Sequence, residues 1–380
     1  SFLRRILVVA QFTVSITILL GSFVVQKQIG FILNKDLGFD KENVLVIRRS
    51  DALDDQIEAF KHELSNLPEV VSVAHSGNIP GRSFSNNGTF VEGRPSSDVY
   101  LVWQGRVSYE FDKTFSLEMA EGRFFDKQVR SDSMAVVLNQ AAVKALDLEE
   151  NTLEKRLMIL SGPNEYTYAN IIGVLKDFNF QSLHENIEPM ALFPLRGNPE
   201  GYIPVKLKGN ENLKTITEIK NIWGKFNEDY PFDYFWMDDD FENQYKTEKR
   251  TGSILLIFSI LSIFISCLGL FGLISFTSEK RTKEIGIRKS MGASIPGILT
   301  LLSKETLVLI GISAIFSAPV YLVINKWLQN FAFHFKFNPV VFALWLGITL
   351  IVILIVALVT VNIVAIGAAR KNPADSLRHE

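Results

Sequence analysis

The sequence predicts a multi-pass α-helical membrane protein with four transmembrane helices and a large extracytoplasmic α+β domain between the first two helices. Three observations lead to this fold class. Four segments of the 380-residue chain are apolar over about 20 residues, enough for a helix to cross the hydrocarbon core of a bilayer. Residues 26–250 contain no such segment and carry 26 basic and 36 acidic residues, a net charge of −10. Basic residues cluster beside the apolar segments.

The four apolar segments define the predicted spans. They are Ile6 to Val25, Ile254 to Phe276, Leu301 to Ile324, and a stretch within Val340 to Ala369. Proline removes a backbone donor and clashes with the preceding turn, so we expect Pro319 to kink the third span. Residues 326–339 form a short outer loop rich in aromatic side chains, which suits the membrane interface.

Small and polar residues recur at helical spacing in the first two spans. Such residues let helix backbones approach closely in lipid, where there is no hydrophobic drive for helices to associate. The predicted packing residues are Gln11, Ser15, Ser259, Ser262, Ser266 and Gly269. Gln11 has a second interpretation as a substrate contact, although a packing hydrogen bond is the commoner role for such a residue.

The segment between the first two spans contains two β-α-β patterns. Alternating apolar residues indicate strands, apolar residues at a period near 3.6 indicate helices, and two such units can close a ferredoxin-like sandwich. The predicted elements are strand Val44–Ile47, helix Asp51–Leu67 and strand Val70–Ala74, then strand Tyr202–Leu207, helix Asn212–Asp229 and strand Phe232–Met237. Residues of about 109–199 are expected to form an inserted lobe.

Three aspartates, Asp238 to Asp240, follow the second β-α-β pattern. They could bind a cation, but acidic residues at a helix start more often cap the helix and oppose its dipole. A helix starting here can continue without a proline from Phe241 to Phe276. We therefore expect a stalk that is continuous with the second span.

The charge distribution predicts the orientation. Arg4 and Arg5 precede the first span, residues 278–304 carry six basic and two acidic residues, and Arg370 and Lys371 follow the fourth span. With four spans these segments lie on one membrane side, which the positive-inside rule makes the cytoplasm. Both ends of the chain are then cytoplasmic, and the acidic domain is outside.

Several kinds of chemistry find no support in the sequence. There is no G-x-x-x-x-G-K-[ST] phosphate-binding loop, the five histidines lack metal-ligand spacing, and Cys267 is the only cysteine. We predict no catalytic residues, no bound cofactor, no metal site, no enzymatic activity and no nucleic-acid partner.

The most basic short segment of the chain, residues 278–294, lies between the second and third spans. Its apolar residues are Ile285, Ile287 and Met291, and Gly292 closes it as a helix C-cap would. A basic loop often serves only to fix topology. The apolar residues and the two glycines of this segment, Gly286 and Gly292, favour a docking element instead.

The sequence EKRTKEIGIRKSMGA, Glu279 to Ala293, resembles the signature of FtsX/MacB-type permeases, the membrane subunits of type VII ABC transporters. The residues that this resemblance assigns to ATPase coupling are Glu279, Arg281, Glu284, Ile285, Gly286, Ile287, Arg288, Met291, Gly292 and Ala293. The tail from Ala368 to Arg378 also resembles the C-terminal ending of the family.

Four short motifs in the middle of the chain resemble the MacB-like periplasmic core domain in its Bacteroidetes form. They are LGF at 37–39, EGRFF at 121–125, GVLKDF at 173–178 and SLH at 182–184. Each motif is weak alone, and their order carries the resemblance. Gly122 and Gly173 indicate tight backbone or a bulge.

The resemblance implies the permease subunit of an ABC transporter in the bacterial inner membrane. Its partners would be a cytoplasmic ABC ATPase, a second permease half or a homodimer partner, a periplasmic adaptor and membrane lipid. ATPase cycles would drive motions of the periplasmic domain, a mechanism called mechanotransmission, for efflux or export of antibiotic, peptide or lipoprotein-like cargo. Bacteroidetes-type members have two such copies, and this chain resembles the second, so we expect it to begin inside a longer protein.

The predicted boundaries follow from the spans and the resemblance. They are helix 1–27, core domain 28–237, stalk and second helix 238–277, coupling segment 278–300, third helix 301–325, outer loop 326–339, fourth helix 340–369 and tail 370–380, with an FtsX-like permease domain at 252–372. Two alternatives remain open. A membrane-anchored sensor or binding protein would need a cytoplasmic output domain, and a secondary transporter would need ionisable residues within several spans.

Overall fold

The computed structural model describes residues 2–82, 84–95, 97–162, 165–197, 201–209, 213–280, 291 and 295–369. The chain divides into two compact units. The helical unit comprises Ser1–Leu33 and Lys246–Glu380, and the αβ unit comprises Asn34–Tyr245.

Five helices make up the described part of the helical unit. They are α1 (Phe2–Leu33), α7 (Lys246–Lys280), α8 (Ile295–Ser317), α9 (Val320–Leu328) and α10 (Pro339–Ala369). Among the described residues, α1, α7 and α10 are each long and apolar enough to cross a membrane. The α8–α9 pair makes a fourth candidate if it counts as one span.

The α8–α9 pair is bent by 42° at the break between Ser317 and Val320. Pro319 occupies this break, at the N-terminal end of α9. The sequence predicts a kink at this proline, and the bend has the expected cause, because a proline nitrogen cannot donate the helical hydrogen bond.

The core of the helical unit forms where α1 packs against α7, α8 and α10. Apolar side chains from all four helices meet there. The buried members of this cluster are Val8, Phe12, Ile16, Leu19, Leu270, Leu273, Ile274, Leu309, Ile310, Ile353, Ala357 and Val361. α1 is therefore the central helix of the unit.

The first sheet of the αβ unit has four antiparallel strands in the order β11-β1-β10-β2. Its strands are β1 (Val44–Arg48), β2 (Val70–Val73), β10 (Tyr202–Leu207) and β11 (Tyr234–Trp236). Leu45 lies opposite both Val205 and Trp236. The sheet shares a core with α2 (Ile57–Ser65) and α5 (Leu213–Phe226), in which Phe60 and Trp223 pack edge to face.

The second sheet has the strand order β5-β8-β6-β9-β4-β3-β7. Its strands are β3 (Ser85–Val91), β4 (Tyr100–Val107), β5 (Met119–Gly122), β6 (Ala135–Asn139), β7 (Arg156–Gly162), β8 (Glu165–Leu175) and β9 (Met190–Pro194). β7 also pairs with β8, so six strands close into a ring that leaves β5 as an added edge strand. The short helices α3 (Phe111–Phe115) and α4 (Gln140–Ala145) complete the unit.

The predicted lobe of residues 109–199 begins too late. β3 pairs with β7, and β4 pairs with β9, so the second sheet already starts at Ser85. Long-range pairing of this kind leaves no local mark on the sequence, which explains the error.

The predicted helix Asp51–Leu67 is interrupted. It starts as a 3₁₀ segment, Ser50–Gln56, in which Asp54 has φ 43° and ψ −128°, and only α2 is α-helical. Positive φ is uncommon outside glycine and ends the regular helical path.

The predicted unbroken helix from Phe241 to Phe276 is also wrong. α6 (Met237–Gln244) stops at Tyr245, which has φ −104° and ψ 17°, and α7 starts afresh at Lys246. Tyr245 is fully buried, as is Phe241 at 1% exposure, and both residues belong to the αβ unit. The unit therefore extends beyond the predicted boundary at residue 237.

Candidate functional site

The segment predicted to couple to an ATPase is described only at its margins. Glu279 and Lys280 end α7, and the Met291 side chain is 82% exposed. The remaining predicted coupling residues lie outside the described residues; they are Arg281, Glu284, Ile285, Gly286, Ile287, Arg288, Gly292 and Ala293. The tail at 370–380 lies outside them too.

Phe276 joins the start of α1 to the end of α7. The Arg4 guanidinium lies 3.9 Å from the centroid of the Phe276 ring, and the Lys280 ammonium lies 5.0 Å from it. Cation–π contacts at exposed sites contribute about 0.5–1 kcal/mol each. The helix that leads into the coupling segment is thus tied to α1 at its last turn.

The predicted packing residues of α1 and α7 face one another. The Ser15 hydroxyl lies 2.6 Å from the Ser262 hydroxyl and 3.0 Å from that of Ser266. Ser259 instead donates to the carbonyl of Leu255 in its own helix, at 2.7 Å. We call Gln11, Ser15, Ser262, Ser266 and Gly269 the α1–α7 seam.

Gly269 is required by the shape of this seam. A Cβ atom at this position would collide with the carboxamide oxygen of Gln11. Within the described part of the chain, this buried oxygen has no hydrogen-bond partner. Glycine therefore lets the Gln11 amide lie directly against the α7 backbone.

Sequence reasoning missed a second polar contact in the helical unit. The Gln28 amide donates to the carbonyl of Phe333 at 3.0 Å and accepts from the amide of Phe335 at 3.2 Å. Phe335 and Phe337, from the aromatic loop, are buried in one cluster with Leu20 and Val24 of α1. Gln28 thereby bonds two backbone groups of the loop that follows α9.

The αβ unit holds its last helix by three side-chain contacts. Arg82 donates to both oxygens of Asp240, at 2.5 and 3.2 Å, and the Gln244 amide donates to the carbonyl of Gly81 at 3.0 Å. The Tyr245 hydroxyl accepts from the backbone amide of Leu183 at 2.8 Å. We call Gly81, Arg82, Leu183, Asp240, Gln244 and Tyr245 the exit clasp, because the chain leaves the unit here.

The Arg82–Asp240 pair carries the electrostatics of the exit clasp. Burial opposes the charge on Arg82, but the hydrogen bonds and charge of Asp240 outweigh it and raise the pKa of the guanidinium. The Arg82 guanidinium also lies 4.5 Å from the centroid of the Phe235 ring on β11. The Arg82 guanidinium therefore stays charged, and its two hydrogen bonds to Asp240 hold α6.

The predicted cap role of the three aspartates holds only in part. All three lie in the first turn of α6, where acidic residues oppose the helix dipole. However, the N-cap residue is Trp236, which makes no side-chain cap hydrogen bond, and Asp240 pairs with Arg82. No group of three or more potential metal ligands occurs among the described residues.

Two of the predicted family motifs, LGF at 37–39 and GVLKDF at 173–178, contact each other a few residues before Leu183 of the exit clasp. Gly38, with φ 74°, lies so close to the carbonyl of Asp177 that a Cβ would come within 2.7 Å of it. The backbone amide of Asn179 donates to the carbonyl of Leu37 at 2.8 Å. The same segment continues to Leu183, which binds Tyr245.

The other two motif glycines meet at the edge of the second sheet. Gly122 has φ 68°, and the register between β6 and β8 shifts between Ile171 and Gly173. The amide of Arg123 donates to the carbonyl of Ile172 at 3.1 Å, on the bulged strand. The predicted tight backbone at both glycines is present.

Two family models match this chain. Residues 8–221, more than half of the chain, match the MacB-like periplasmic core domain, and residues 256–373 match the FtsX-like permease C-terminal domain. The chain belongs to the FtsX/MacB-type permease family. It carries the family's two domains in the order that the sequence motifs predict.

Curated relatives include the macrolide export ATP-binding/permease protein MacB of two bacteria. The Aggregatibacter actinomycetemcomitans protein is 27% identical over 57% of this chain and 34% of its own length. The Neisseria gonorrhoeae protein is 25% identical over 59% of this chain and 36% of its own length. The chain thus spans about a third of the length of the curated relatives that it matches.

Solved structures that are similar to this chain include two with low sequence identity. The periplasmic region of MacB from Actinobacillus actinomycetemcomitans has a TM-score of 0.40 and 16% identity, covering 55% of this chain and 94% of that chain. The extracellular domain of the transporter YknZ from Gram-positive bacteria has a TM-score of 0.34 and 14% identity, covering 47% of this chain and 86% of that chain.

Proposed function

We propose that this chain is the transmembrane permease subunit of an ABC transporter, and that it passes ATPase-driven motion to an extracytoplasmic domain. The observation that carries the proposal is that an αβ unit matching the MacB-like core domain is inserted between apolar helices, the later of which match the FtsX-like domain. Such a chain needs no catalytic residue, because the ATPase supplies the chemistry. The cargo would be an antibiotic, peptide or lipoprotein-like molecule exported from the cell.

We propose four spans, with α8 and α9 together forming the third, in the bacterial inner membrane. The clustering of basic residues at 278–304 and beside α1 supports placing these segments in the cytoplasm. The αβ unit is then periplasmic. Its strand order β11-β1-β10-β2, with α2 and α5, is the order expected for a ferredoxin-like sandwich.

The proposed route of motion has three parts in sequence order. The coupling segment follows α7 at Lys280, α7 crosses the membrane, and Tyr245 alone separates α7 from α6. The exit clasp holds α6 on the αβ unit. A displacement of α6 would therefore pass to the αβ unit through side-chain contacts and would not be lost in a loose linker. Because of the break at Tyr245, the proposed route runs through two helices, α6 and α7. It does not run through the single continuous helix that the sequence predicts.

The α1–α7 seam would keep α7 aligned while it moves. Close small-residue contacts and interhelical hydroxyl pairs stabilise helix association in lipid by about 0.6–2 kcal/mol each. We assign Gln11, Ser15, Ser262, Ser266 and Gly269 to this packing role, and Ser259 to the same face of α7. The other proposed partners are a cytoplasmic ABC ATPase, a second permease half or copy, and a periplasmic adaptor.

The coupling segment provides the direct test. Ile285→Asp would bury a charge at the ATPase contact and Arg288→Glu would reverse an ion pair, each costing about 2–5 kcal/mol if the site is desolvated. We expect the native ATPase to co-purify with the wild-type chain and to be lost from both variants, while membrane insertion is unchanged.

The conservative variants Ile285→Leu and Arg288→Lys are the matched controls and should retain the ATPase. Wild-type ATPase association and transport in Ile285→Asp and Arg288→Glu would contradict the proposal. The basic segment would then act only as a topological anchor.

A further inference from the structure

A long groove lies between α1 and α8 within the helical unit. Its volume is about 1050 Å³, slightly above the range of about 300–1000 Å³ typical of small-molecule sites. Its walls are mainly apolar side chains. Those walls include Ile6, Val9, Val14, Val308, Ile312 and Phe316.

The groove is charged at one end only. Arg5, Lys304 and Glu305 line that end, two basic residues and one acidic residue. Arg5 lies 3.4 Å from a Glu305 oxygen, but its side chain remains 50% exposed, so this ion pair leaves the guanidinium accessible. The mouth of the groove therefore carries a net positive charge and has donors available to an anion.

The remaining polar group of the wall offers little to a ligand. Thr13 donates its hydroxyl to the carbonyl of Val9 at 2.8 Å, within its own helix. Ser313 and Val9 are likewise bonded to each other across the two helices, at 3.1 Å. Beyond its charged end, the groove presents mostly hydrocarbon.

The length of the groove matches one leaflet of a bilayer. From Lys304 to Phe316 along α8 is a helical rise of about 18 Å, and half of the hydrocarbon core is about 15 Å. A phospholipid has the same layout, with an anionic phosphate at one end and hydrocarbon chains that reach the midplane. A transmembrane helix lying in this groove would match the same layout only if its own sequence placed an acidic residue at the charged end.

We propose that this groove is a specific site for one anionic phospholipid, with the phosphate bound by Arg5 and Lys304 and an acyl chain lying along α1 and α8. The inference rests on the proposed function, because it requires that these helices lie in a membrane. The positive-inside orientation places the headgroup in the cytoplasmic leaflet. The bound lipid fills the space between the two helices on that side.

The test is native mass spectrometry of the detergent-purified full chain, titrated with phosphatidylglycerol or with phosphatidylcholine. We expect one tightly retained phosphatidylglycerol and weaker phosphatidylcholine binding. The double variant Arg5→Gln/Lys304→Gln should bind phosphatidylglycerol about 30-fold more weakly, the factor expected when two basic residues near an anionic lipid are removed. It should bind phosphatidylcholine as the wild type does.

Two further variants make the test specific. Lys246→Gln/Lys249→Gln removes two basic residues from the N-terminal end of α7. These residues do not line the groove, so this variant should leave lipid binding unchanged. Ala10→Trp, at an exposed wall position of α1, should fill the groove and remove the retained lipid without changing any charge.

The outcomes separate the alternatives. Equal phosphatidylglycerol binding by wild type, the charge variant and Ala10→Trp would overturn the inference. The inference would also be overturned if the wild type formed a dimer with no lipid preference and Ala10→Trp dissociated that dimer. A second copy of the chain would then occupy the groove. A chain extracted from membranes by carbonate would contradict the proposed membrane function itself, whereas an inserted chain without phosphatidylglycerol selectivity would contradict only the lipid site.

Discussion

At the residue scale, the exit clasp depends on the Arg82–Asp240 pair. Their side chains are 31% and 20% exposed, so solvent screens the pair less than an ordinary surface ion pair. The two residues are 158 positions apart, and neither belongs to a recognisable motif. Asp240 is visible in the sequence only as one of three consecutive acids.

We expect a double-mutant cycle of Arg82→Ala and Asp240→Ala to give a coupling free energy of about 1 kcal/mol. The physical reason is the loss of two charge-assisted hydrogen bonds in a partly buried position. Urea unfolding of the fragment 34–245, as the wild type, both single variants and the double variant, measures this energy.

The matched control is the Arg156–Glu92 pair on the second sheet, whose side chains are 48% and 36% exposed. Its cycle should give a smaller coupling energy because water screens it more. A coupling energy for Arg82 and Asp240 no larger than the control value would remove the clasp from the proposed route of motion.

The α1–α7 seam gives a second residue-scale prediction. Gly269→Leu should lower the melting temperature of the full chain in detergent, since the new side chain must displace the Gln11 amide, and overpacking costs about 1–3 kcal/mol. Gly272→Leu on the same helix should have little effect, because a Cβ there meets nothing within 4 Å.

Thermal unfolding followed by fluorescence-detected size-exclusion chromatography compares the two variants directly. Both substitutions add the same side chain to α7, so helix propensity cancels between them. Equal melting temperatures for Gly269→Leu and Gly272→Leu would show that the seam does not stabilise the helical unit.

At the element scale, α6 belongs to the αβ unit and not to the second span. Phe241 and Tyr245 are 1% and 0% exposed, the ring of Phe241 lies 4.5 Å from the Lys41 ammonium, and Tyr245 stacks on His184. Two large aromatic side chains are thereby buried within eight residues that the sequence assigns to a stalk.

We expect the fragment 34–245 to be soluble and to melt cooperatively, and the fragment 34–238 to be molten or insoluble. Removing a buried Phe or Trp side chain costs about 3–5 kcal/mol, and the total stability of a domain is only about 5–15 kcal/mol. Circular dichroism melts of both fragments measure the difference.

The variant Phe241→Ala/Tyr245→Ala in fragment 34–245 separates side-chain burial from chain length. It should behave like the shorter fragment if burial is the cause. Cooperative melting of fragment 34–238 at the same temperature as 34–245 would return α6 to the stalk.

At the scale of the whole molecule, the proposal requires that the αβ unit and the coupling segment lie on opposite sides of the membrane. The orientation inferred from the sequence predicts that Ser96 is accessible from outside and Ser294 is not, but both lie outside the described residues. Ser97 in the αβ unit and Met291 after α7 are exposed and serve as labelling positions instead.

In a Cys267→Ala background, a membrane-impermeant maleimide added outside spheroplasts should label Ser97→Cys and not Met291→Cys. Permeabilised cells should label both, which controls for expression and reactivity. Labelling of Met291→Cys alone in intact spheroplasts would reverse the orientation and contradict the proposed coupling to a cytoplasmic ATPase.

The sequence by itself determined the features that depend on neighbouring residues. Long apolar segments, the kink at Pro319, the strand Tyr202–Leu207 and the tight backbone at Gly122 and Gly173 all follow from local composition, spacing or backbone chemistry. The family was also readable, because its signatures are contiguous. These signals survive in a single chain because each is set by the residues that carry it.

Only the tertiary structure decided which distant segments meet. Three features join residues that are far apart in the chain. They are the closure of six strands through the β7–β8 pairing, the Arg82–Asp240 contact, and the groove between α1 and α8. The helix break at Tyr245 belongs to the same class, since burying its ring and binding Leu183 outweigh the local preference for an unbroken helix. Such choices depend on packing and pairing energies between elements, which local sequence patterns do not encode.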